Sequence, residues 1–364
     1  MKYSLFFIST LFYFIPSFAQ VKDRGFVVIG YYAGGAARLD SFQVEKLTHI
    51  IFSFCHLKEN RLNVSKAADS LTIQKMVSLK KRNPQLKVLL SLGGWGGCET
   101  CSPIFAEKKN RKAFAASVKE LASYFQTDGI DLDWEYPVIP GYPGHKYSPE
   151  DKQHFTALVK ELRKSLGKKQ EISFAAGGFT SFLRDAIEWK KVMKKVDMVN
   201  LMTYDLVSGF ATTTGHHTPL FSTDRQAQSA DNAIRYLDSI GVSRKKLVIG
   251  AAFYGRMWEN VEPVNNGLYQ AGHFKKGIAY RNFSTTLSTD SGYVYYRDTL
   301  AFAPYIYHPL RKEFVTFDDE ESIKEKTKYA LNKGLRGIMF WQLAEDAYEN
   351  GLLEAIDRVI RMSF

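Results

Sequence analysis

Short apolar, β-branched segments alternate along the chain with longer amphipathic segments, which are typical of strands and helices respectively. Eight strands are predicted, at Phe26–Tyr32, Thr48–Cys55, Lys87–Leu92, Gly129–Glu135, Glu171–Ala176, Val196–Thr203, Lys246–Phe253 and Gly337–Leu343. Helices are predicted between them, for example at Lys112–Phe125, Pro149–Leu166, Asp231–Ile240 and Glu320–Lys333. Repeated strand–helix units favour a parallel sheet, and eight of them close into a (β/α)8 TIM barrel of the α/β class.

The alternation is interrupted between the seventh and eighth predicted strands, at about residues 259–315. This segment is rich in Tyr, Gly and Thr and is strand-like rather than helical. Loops of this length rarely lack structure of their own. We therefore predict a small inserted lobe, rich in β-structure, on the C-terminal face of the barrel.

The first residues of the chain predict export. Lys2 is followed by the apolar run Leu5–Phe14 and then by small residues at Ser17 and Ala19. This order is typical of a secretory signal peptide, here residues 1–19, and a mature chain of residues 20–364. A membrane anchor is the alternative, but the run is short for a bilayer span. The expected location is the periplasm or the extracellular space, without stable membrane insertion.

The chain has a formal net charge of +11, and its basic residues are scattered. A large positive charge can attract nucleic acid or an anionic surface. The densest group, Lys190, Lys191, Lys194 and Lys195, has helical spacing and indicates a solvated helix face. We therefore predict no nucleic-acid partner.

Three cysteines are present, and two of them, Cys98 and Cys101, form a CxxC motif. In an exported chain this spacing favours a local disulfide bond. Redox catalysis and zinc binding are the alternatives, but no thioredoxin-like context and no second ligand pair accompany the motif. Cys55 lies in an apolar strand and is predicted to be an inert core thiol.

The fourth predicted strand carries acidic residues at alternate positions, so Asp131, Asp133 and Glu135 share one face. The apolar residues between them suit the side that packs on helices, and the acidic face is therefore predicted to point into the barrel. Carboxylates at steps of about 7 Å repel one another and lose hydration, which raises a carboxyl pKa. A glycosidase needs such a protonated acid at the barrel mouth, where Glu135 lies. A divalent metal site and a salt-bridged acidic strand are the alternatives.

Other predicted strands end in residues that suit a carbohydrate cleft. They are Ser91 and Gly94 after strand three, Met202, Tyr204 and Asp205 after strand six, and Trp341 in strand eight. The small residues leave space beside the acidic row, the phenol can donate a hydrogen bond, and the indole offers a flat floor for a sugar ring. An inward aromatic residue usually belongs to the core, but together these residues describe a cleft.

On these motifs the sequence resembles glycoside hydrolase family 18, the family of chitinases and chitinase-like proteins. The motifs are Ser91-x-Gly93-Gly94, the DxxDxDxE pattern of Asp128–Glu135 followed by Tyr136-Pro137, Met202-Thr203-Tyr204-Asp205, Phe253-Tyr254-Gly255-Arg256, and Trp341. The resemblance covers nearly the whole mature chain. The predicted lobe is similar to the α+β insertion of a subset that contains mostly true chitinases. Gln342 is a departure, because family members often have an acidic residue after the final Trp.

The resemblance implies a substrate-assisted retaining mechanism that uses no cofactor and no metal, in which the substrate's own N-acetyl group attacks the anomeric carbon. Glu135 would donate the proton, Asp133 would orient the acetamido group, and Asp131 would share a proton with Asp133. The supporting residues would be Tyr31 and Ser91 beside Asp131, Tyr204 and Asp205 at the acetamido group, Trp341 beneath the sugar, and Tyr32, Phe54, Trp95 and Arg256 in the cleft wall. Met202 and Gly94 are also predicted to bind the substrate.

These observations predict a secreted chitinase that hydrolyses β-1,4 linkages between N-acetylglucosamine units of chitin or its oligosaccharides. A monomer is expected, but the sequence leaves the oligomeric state open. One alternative is a lectin-like chitin-binding protein, although such relatives usually lack the acid that Glu135 provides. Another is an endo-β-N-acetylglucosaminidase acting on glycoprotein glycans, whose members tend to lack the Met-Thr-Tyr-Asp ending. Exo or endo action and the degree of acetylation of the polymer stay open.

Overall fold

A computed structural model describes residues 25–363, so the predicted signal peptide lies outside the described residues. Within them the chain forms fourteen strands and ten α-helices. The strands are β1 (Val27–Tyr32), β2 (His49–Lys58), β3 (Arg61–Asn63), β4 (Lys87–Gly93), β5 (Gly129–Asp133), β6 (Glu171–Gly177), β7 (Val199–Met202), β8 (Leu247–Ala252), β9 (Tyr254–Glu259), β10 (His273–Ala279), β11 (Val294–Asp298), β12 (Ala303–His308), β13 (Glu313–Thr316) and β14 (Gly337–Trp341). The helices are α1 (Ala67–Ser78), α2 (Cys101–Ala106), α3 (Lys108–Phe125), α4 (Asp151–Leu166), α5 (Thr180–Asp185), α6 (Trp189–Val192), α7 (Ala230–Ser239), α8 (Phe283–Thr286), α9 (Glu320–Asn332) and α10 (Leu352–Met362).

Eight parallel strands form a closed barrel in the order β1, β2, β4, β5, β6, β7, β8 and β14. The barrel closes because β14 pairs with β1, with Gly337 beside Val27, while β1 also pairs with β2. Strand β3 extends β2 as an antiparallel neighbour. The prediction of a (β/α)8 TIM barrel is therefore confirmed.

Most residues of the barrel strands are apolar on both faces because both faces are covered. In β1, Val27, Ile29 and Tyr31 belong to a buried cluster inside the barrel, whereas Val28 belongs to the cluster between strands and helices. The helices present apolar stripes to this outer cluster; in α4, Phe155 and Leu162 are among the buried residues. The alternation of side chains along the strands thus sets which residues can reach the inside of the barrel.

The chain between the seventh and eighth barrel strands, β8 and β14, forms a second sheet. It is antiparallel, with the order β10, β9, β13, β12 and β11. Its first strand, β9, begins two residues after β8 ends, so the second sheet starts at the C-terminal edge of the barrel. Its two faces are covered by separate apolar clusters, one around Val315 and one around Trp258. This position brings one end of the sheet beside the carboxyl ends of the barrel strands.

Several local features bear on the sequence expectations. The Sγ atoms of Cys98 and Cys101 are joined in a disulfide bond at the start of α2, and Cys55 is a buried free thiol. Helix α6 has only four residues, so Lys194 and Lys195 lie beyond it, and the prediction that the lysines share one helix face is wrong. Within residues 25–363, no helix combines the length and the apolar character needed to cross a membrane.

Candidate active site

The acidic row lies at the carboxyl end of β5, on the inside of the barrel. Asp131 and Asp133 alternate with Ile130 and Leu132, which pack in the outer core. The strand ends at Asp133, so Glu135 lies two residues beyond the strand that the sequence predicted to include it. All three carboxyl groups are nevertheless buried, with exposed fractions of 0%, 4% and 8% in chain order. Three buried carboxyl groups in succession dominate the electrostatics of this site.

Asp131 forms the base of the row and is surrounded by hydrogen-bond donors. Ser173 and Ser91 donate to its carboxylate at 2.6 and 2.9 Å, and Tyr31 and Asn200 donate at 3.1 and 3.2 Å. Burial raises the pKa of Asp131, while these four hydrogen bonds act in the opposite direction. The innermost carboxyl group is thus held in one orientation by side chains from four other strands of the barrel, β1, β4, β6 and β7.

The other two carboxyl groups face the cleft, and both have raised pKa values. Burial, followed by the charges of Glu135 and Asp131, raises the pKa of Asp133 well above its ordinary value. One oxygen of Asp133, Oδ1, is buried without a hydrogen-bond partner in the described chain. Burial raises the pKa of Glu135 to about 7, with a further contribution from the charge of Asp205. Glu135 can therefore hold a proton near neutral pH, which a general acid requires.

Asp205 is the charged member of the site. Its backbone has a φ of 55°, and its carboxylate accepts hydrogen bonds from the Tyr254 hydroxyl at 2.8 Å and from two nitrogens of Arg256. The Nδ1 atom of the buried His217 lies 3.4 Å from the same carboxylate. Burial alone would raise the pKa of Asp205, but Arg256 and His217 hold it well below its usual range. A fixed negative charge thus lines the same cavity as the protonatable Glu135.

Tyr204 lies beside these groups at the end of β7. Its side chain is buried, and burial raises the pKa of its phenol well above the ordinary value. Its ring packs edge-on against Tyr254 at 6.2 Å, and its hydroxyl lies 3.8 Å from the Met339 sulfur. Because the phenol stays protonated and has only this weak acceptor in the described chain, it can donate a hydrogen bond to a ligand.

A cavity of about 870 Å³ opens above the acidic row. Nine of the residues singled out from the sequence line it: Phe54, Trp95, Asp133, Glu135, Met202, Tyr204, Asp205, Arg256 and Trp341. Tyr31, Ser91 and Asp131 lie beneath this surface and support it through the hydrogen bonds described above. The structure therefore brings these sequence-predicted residues to one end of the barrel. The prediction for Tyr32 is wrong, because its ring is buried in the cluster between strands and helices and does not line this cavity.

The cavity floor is aromatic. Trp341 stacks on Phe54 with ring centroids 5.5 Å apart and an interplanar angle of 12°, and Tyr31 lies at 6.0 Å on a tilt. Gly94, with a φ of 78°, keeps this stack possible, because a Cβ there would come within 2.2 Å of the Phe54 ring. Trp95 stands at the rim with 47% of its surface exposed. Flat apolar faces flanked by polar groups are typical of sugar-binding clefts.

Sequence reasoning missed several residues of this site. Ser173 and Asn200 hold Asp131, and they could have been found as polar residues at inward positions of otherwise apolar strands. Phe274 and the segment 277–279 belong to the second sheet and line the cavity, but no local pattern in the sequence marks them. Glu345 also lines the cavity, four residues after Trp341.

Comparisons with known proteins agree with this geometry. The model of the family described as "Glycosyl hydrolases family 18" matches residues 27–346. Chitinase A1 of Niallia circulans is 34% identical over 300 residues, which cover 75% of this chain and 42% of that protein. Chitotriosidase-1 of Mus musculus is 33% identical over 329 residues, which cover 83% of this chain and 68% of that protein.

A solved structure shares the same architecture. A family 18 N-acetylglucosaminidase from Paenibacillus barengoltzii is 34% identical and superposes with a TM-score of 0.83, covering 92% of this chain and 99% of that one. The match extends over both the barrel and the second sheet, since it spans nearly the whole described chain. The predicted resemblance and the prediction of a glycosidase are confirmed at the level of the family: the chain belongs to family 18 of the glycosyl hydrolases.

Proposed function

We propose that the protein is a chitinase that hydrolyses β-1,4 linkages between N-acetylglucosamine units by a substrate-assisted retaining mechanism. The observation that carries this proposal is the row Asp131, Asp133 and Glu135, in which burial raises the pKa of Glu135 to about 7 at the floor of the cleft. The names of the relatives, a chitinase, a chitotriosidase and an N-acetylglucosaminidase, support a substrate built from N-acetylglucosamine.

In the first step Glu135 transfers its proton to the glycosidic oxygen as that oxygen leaves the anomeric carbon. The carbonyl oxygen of the substrate's own acetamido group bonds to the anomeric carbon and forms a positively charged oxazolinium intermediate. In the second step a water molecule gives a proton back to Glu135 and attacks the same carbon. The bond from that carbon to the acetamido oxygen breaks, the N-acetyl group is restored, and the configuration is retained. A carboxyl group with a pKa near 7 suits both proton transfers.

Asp133 is the group that stabilises the intermediate. Its Oδ1 is buried without a partner in the described chain, which leaves it free to accept a hydrogen bond from the acetamido N–H. With the shared proton on Asp131, Asp133 would be negative and would stabilise the positive charge that develops on the acetamido group. Sharing of a proton between Asp131 and Asp133 stays a prediction. Tyr204 donates to the acetamido oxygen, and Trp341 supports the apolar face of the sugar.

The test is hydrolysis of chitotetraose and of a chromogenic chitobioside, with a chelator present. Glu135→Gln removes the transferable proton and keeps the shape, so turnover should fall about 100-fold or more while binding persists. Glu99→Gln is the matched control, because Glu99 is exposed on the loop after β4. Turnover of Glu135→Gln close to that of the wild type, or a loss of wild-type activity in the chelator, would refute the proposal.

An exo-acting N-acetylglucosaminidase is a second candidate, because the superposition on the relative named an N-acetylglucosaminidase covers 99% of that relative's chain. Products of chitotetraose hydrolysis distinguish the two activities. Release of monosaccharide from the first minutes favours the exo enzyme, whereas disaccharide as the first product favours the chitinase.

We also propose that the protein is exported with cleavage before Gln20. The signal-like segment at residues 1–19 and the Cys98–Cys101 disulfide bond both suit an oxidising compartment. Terminal sequencing of the protein recovered from the culture medium or the periplasm should give Gln20 as the first residue. Recovery of the full-length chain from the cytoplasm would refute this.

A further inference from the structure

The end of the barrel opposite the cleft is strongly basic. In a β/α barrel the connections from each helix to the next strand lie at this end, because the helices run back from the carboxyl ends of the strands. Six such connections, residues 79–86, 126–128, 167–170, 193–198, 240–246 and 333–336, hold twelve lysines or arginines and two acidic residues. Basic pairs that are scattered along the sequence are thus gathered on one surface, which we call the basic face.

The cleft end of the barrel has the opposite composition. Five connections from a barrel strand to the next helix, residues 94–100, 134–150, 178–179, 203–229 and 342–351, hold eight acidic residues and two basic ones. The charge of the barrel is therefore polarised along its axis, with the positive end away from the proposed substrate.

The acidic residues of the basic face are already paired. Asp128 forms an ion pair with Lys80 at 2.7 Å, and Asp197 forms one with Arg163. Lys246 donates hydrogen bonds to two backbone carbonyls and so serves the chain itself. Six exposed lysines of this face form no ion pair within residues 25–363, namely Lys81, Lys168, Lys169, Lys194, Lys195 and Lys245. The face therefore carries a surplus of positive charge that the fold does not neutralise.

Stabilisation of helix ends does not account for this surplus. A cation in the last turn of a helix interacts favourably with the helix dipole, but the effect falls off beyond that turn. Lys168 and Lys169 lie beyond Gly167, which caps α4, and Lys245 lies in the 3-10 turn Arg244–Lys246, well after α7 ends. The helices therefore do not require these side chains.

The form of the basic face indicates the kind of partner. Its lysines come from several connections around the barrel, so they form a broad surface that suits an extended anionic surface. Two large side chains near the carboxyl ends of α3 and α10 are exposed at the same end, Tyr124 with 73% and Met362 with 86% of their surface. Apolar and amphipathic side chains beside lysines are typical of proteins that contact the headgroup region of a lipid bilayer.

The point at which the chain enters the barrel lies on the same face. Residues 1–24, which include the apolar run Leu5–Phe14, precede Gly25, and β1 then begins at the basic end of the barrel. Arg336 of the basic face donates a hydrogen bond to the carbonyl of Gly25 at 2.7 Å. The segment whose sequence is suited to a membrane is therefore joined to the basic face and not to the cleft.

We propose that the basic face binds the anionic surface of a lipid bilayer through the phosphates of its headgroups, so that the cleft opens away from the membrane. This binding is separate from the proposed hydrolysis and does not depend on the identity of the sugar. Each lysine near an anionic bilayer contributes about fivefold to the affinity, so the six exposed lysines together can hold the protein at the surface.

The experiment is cosedimentation with vesicles of phosphatidylcholine and phosphatidylglycerol in equal parts, and with vesicles of phosphatidylcholine alone. The wild type should bind only the mixed vesicles. Raising NaCl from about 0.1 M to about 1 M should release it, because the Debye length falls from about 10 Å to about 3 Å. The N-terminal segment is kept in the same state in every variant, so its own contribution cancels.

The change of Lys168, Lys169, Lys194 and Lys195 to Gln should weaken binding to the mixed vesicles about 100-fold or more. The matched control changes Lys108, Lys109, Lys112 and Lys146 to Gln. It removes the same charge from exposed positions at the start of α3 and in the loop after β5, at the cleft end. Its affinity should change less than about threefold, because these lysines lie more than a Debye length from the bilayer.

Equal weakening in the two variants would show that net charge and not the basic face is responsible, and would overturn the proposal. An unchanged affinity in the first variant, even with a lower Tm, would leave its lysines a structural role only and would also overturn it. Tighter binding of the wild type to duplex DNA than to the mixed vesicles would overturn the assignment to lipid. Hydrolysis of soluble chitotetraose should be the same in both variants and the wild type, because these lysines lie outside the cavity. An inactive wild type would count against the proposed chitinase alone, and the vesicle experiment would still decide this proposal.

Discussion

The buried ion pair between Lys326 and Asp318 offers a quantitative test of how the barrel is held together behind the cleft. Both side chains are fully buried, and Nζ of Lys326 lies 2.6 Å from Oδ2 of Asp318. The same carboxylate accepts hydrogen bonds from the backbone N–H of Ala252 and from the Thr218 hydroxyl, each at 3.0 Å. The pair therefore joins α9 to the end of β8 and to the loop after β7.

Replacing Lys326 by Met keeps most of the volume and removes the ammonium. Burial lowers the pKa of Lys326 while Asp318 acts against it, so the native pair balances two opposing effects. Without the lysine, Asp318 becomes an uncompensated buried charge. Breaking such a pair costs about 3–5 kcal/mol of the free energy of unfolding.

Urea unfolding followed by circular dichroism measures this loss, provided that the m-values of the variants agree. Lys328→Met is the matched control: Lys328 lies on the same helix, is exposed, and pairs with Glu325 at 2.8 Å. Surface pairs of this kind contribute about 0–1 kcal/mol. Adding Asp318→Asn to Lys326→Met should recover part of the loss, because it removes the unpaired charge. Equal losses in Lys326→Met and Lys328→Met would refute the reasoning.

Three further predictions concern the cleft. The value of kcat/KM should fall above about pH 7, because Glu135 must be protonated to act as the acid. Glu345 also has a pKa of about 7, so the same profile is measured in Glu345→Gln, where the fall should persist. If the fall disappears in that variant, Glu345 and not Glu135 is responsible for it. Arg256→Met should lower kcat/KM at least about tenfold and shift the fall in kcat/KM to lower pH, because Asp205 loses the cation that keeps it charged. Steady-state kinetics across pH measure this shift, and an unshifted profile would contradict the prediction. Ser173→Ala should lower the free energy of unfolding by about 1–3 kcal/mol in urea titrations, because one of the donors to the innermost carboxylate is lost, and an unchanged midpoint would contradict this.

Alternation along β5 was sufficient to predict which side chains of the acidic row face inward. Asp131 and Asp133 alternate with apolar residues that can only be accommodated against the helices, so a period of two fixes their direction. Glu135 was assigned to the same face although the strand ends before it. Glu135 does line the cavity, but it lies beyond the end of the strand. The period of two therefore does not by itself determine the direction of its side chain.

A polar residue in an apolar strand can be found from the sequence, as at Ser173 and Asn200, but the tertiary contact that it makes cannot. Ser173 and Asn200 reach Asp131 from two later strands, so their role depends on barrel closure rather than on a local pattern. Phe274 lines the cleft only because the second sheet starts two residues after β8 and is thereby brought to the barrel mouth. Glu345 ends the short turn Leu343–Glu345, and the next residue, Asp346, accepts hydrogen bonds from backbone N–H groups at the start of α10.

The charges of the cleft form a chain in which each group sets the state of the next. Arg256 donates to Asp205 and keeps it ionised despite its burial. The charge of Asp205 then adds to the burial that raises the pKa of Glu135 to about 7. A cation such as Arg256 would by itself lower the pKa of a nearby acid. Here Arg256 keeps Asp205 negative, and the charge of Asp205 raises the pKa of Glu135. Arg256 can thus support proton donation by Glu135 without contacting the leaving oxygen, which is why its replacement should change the pH profile as well as the rate.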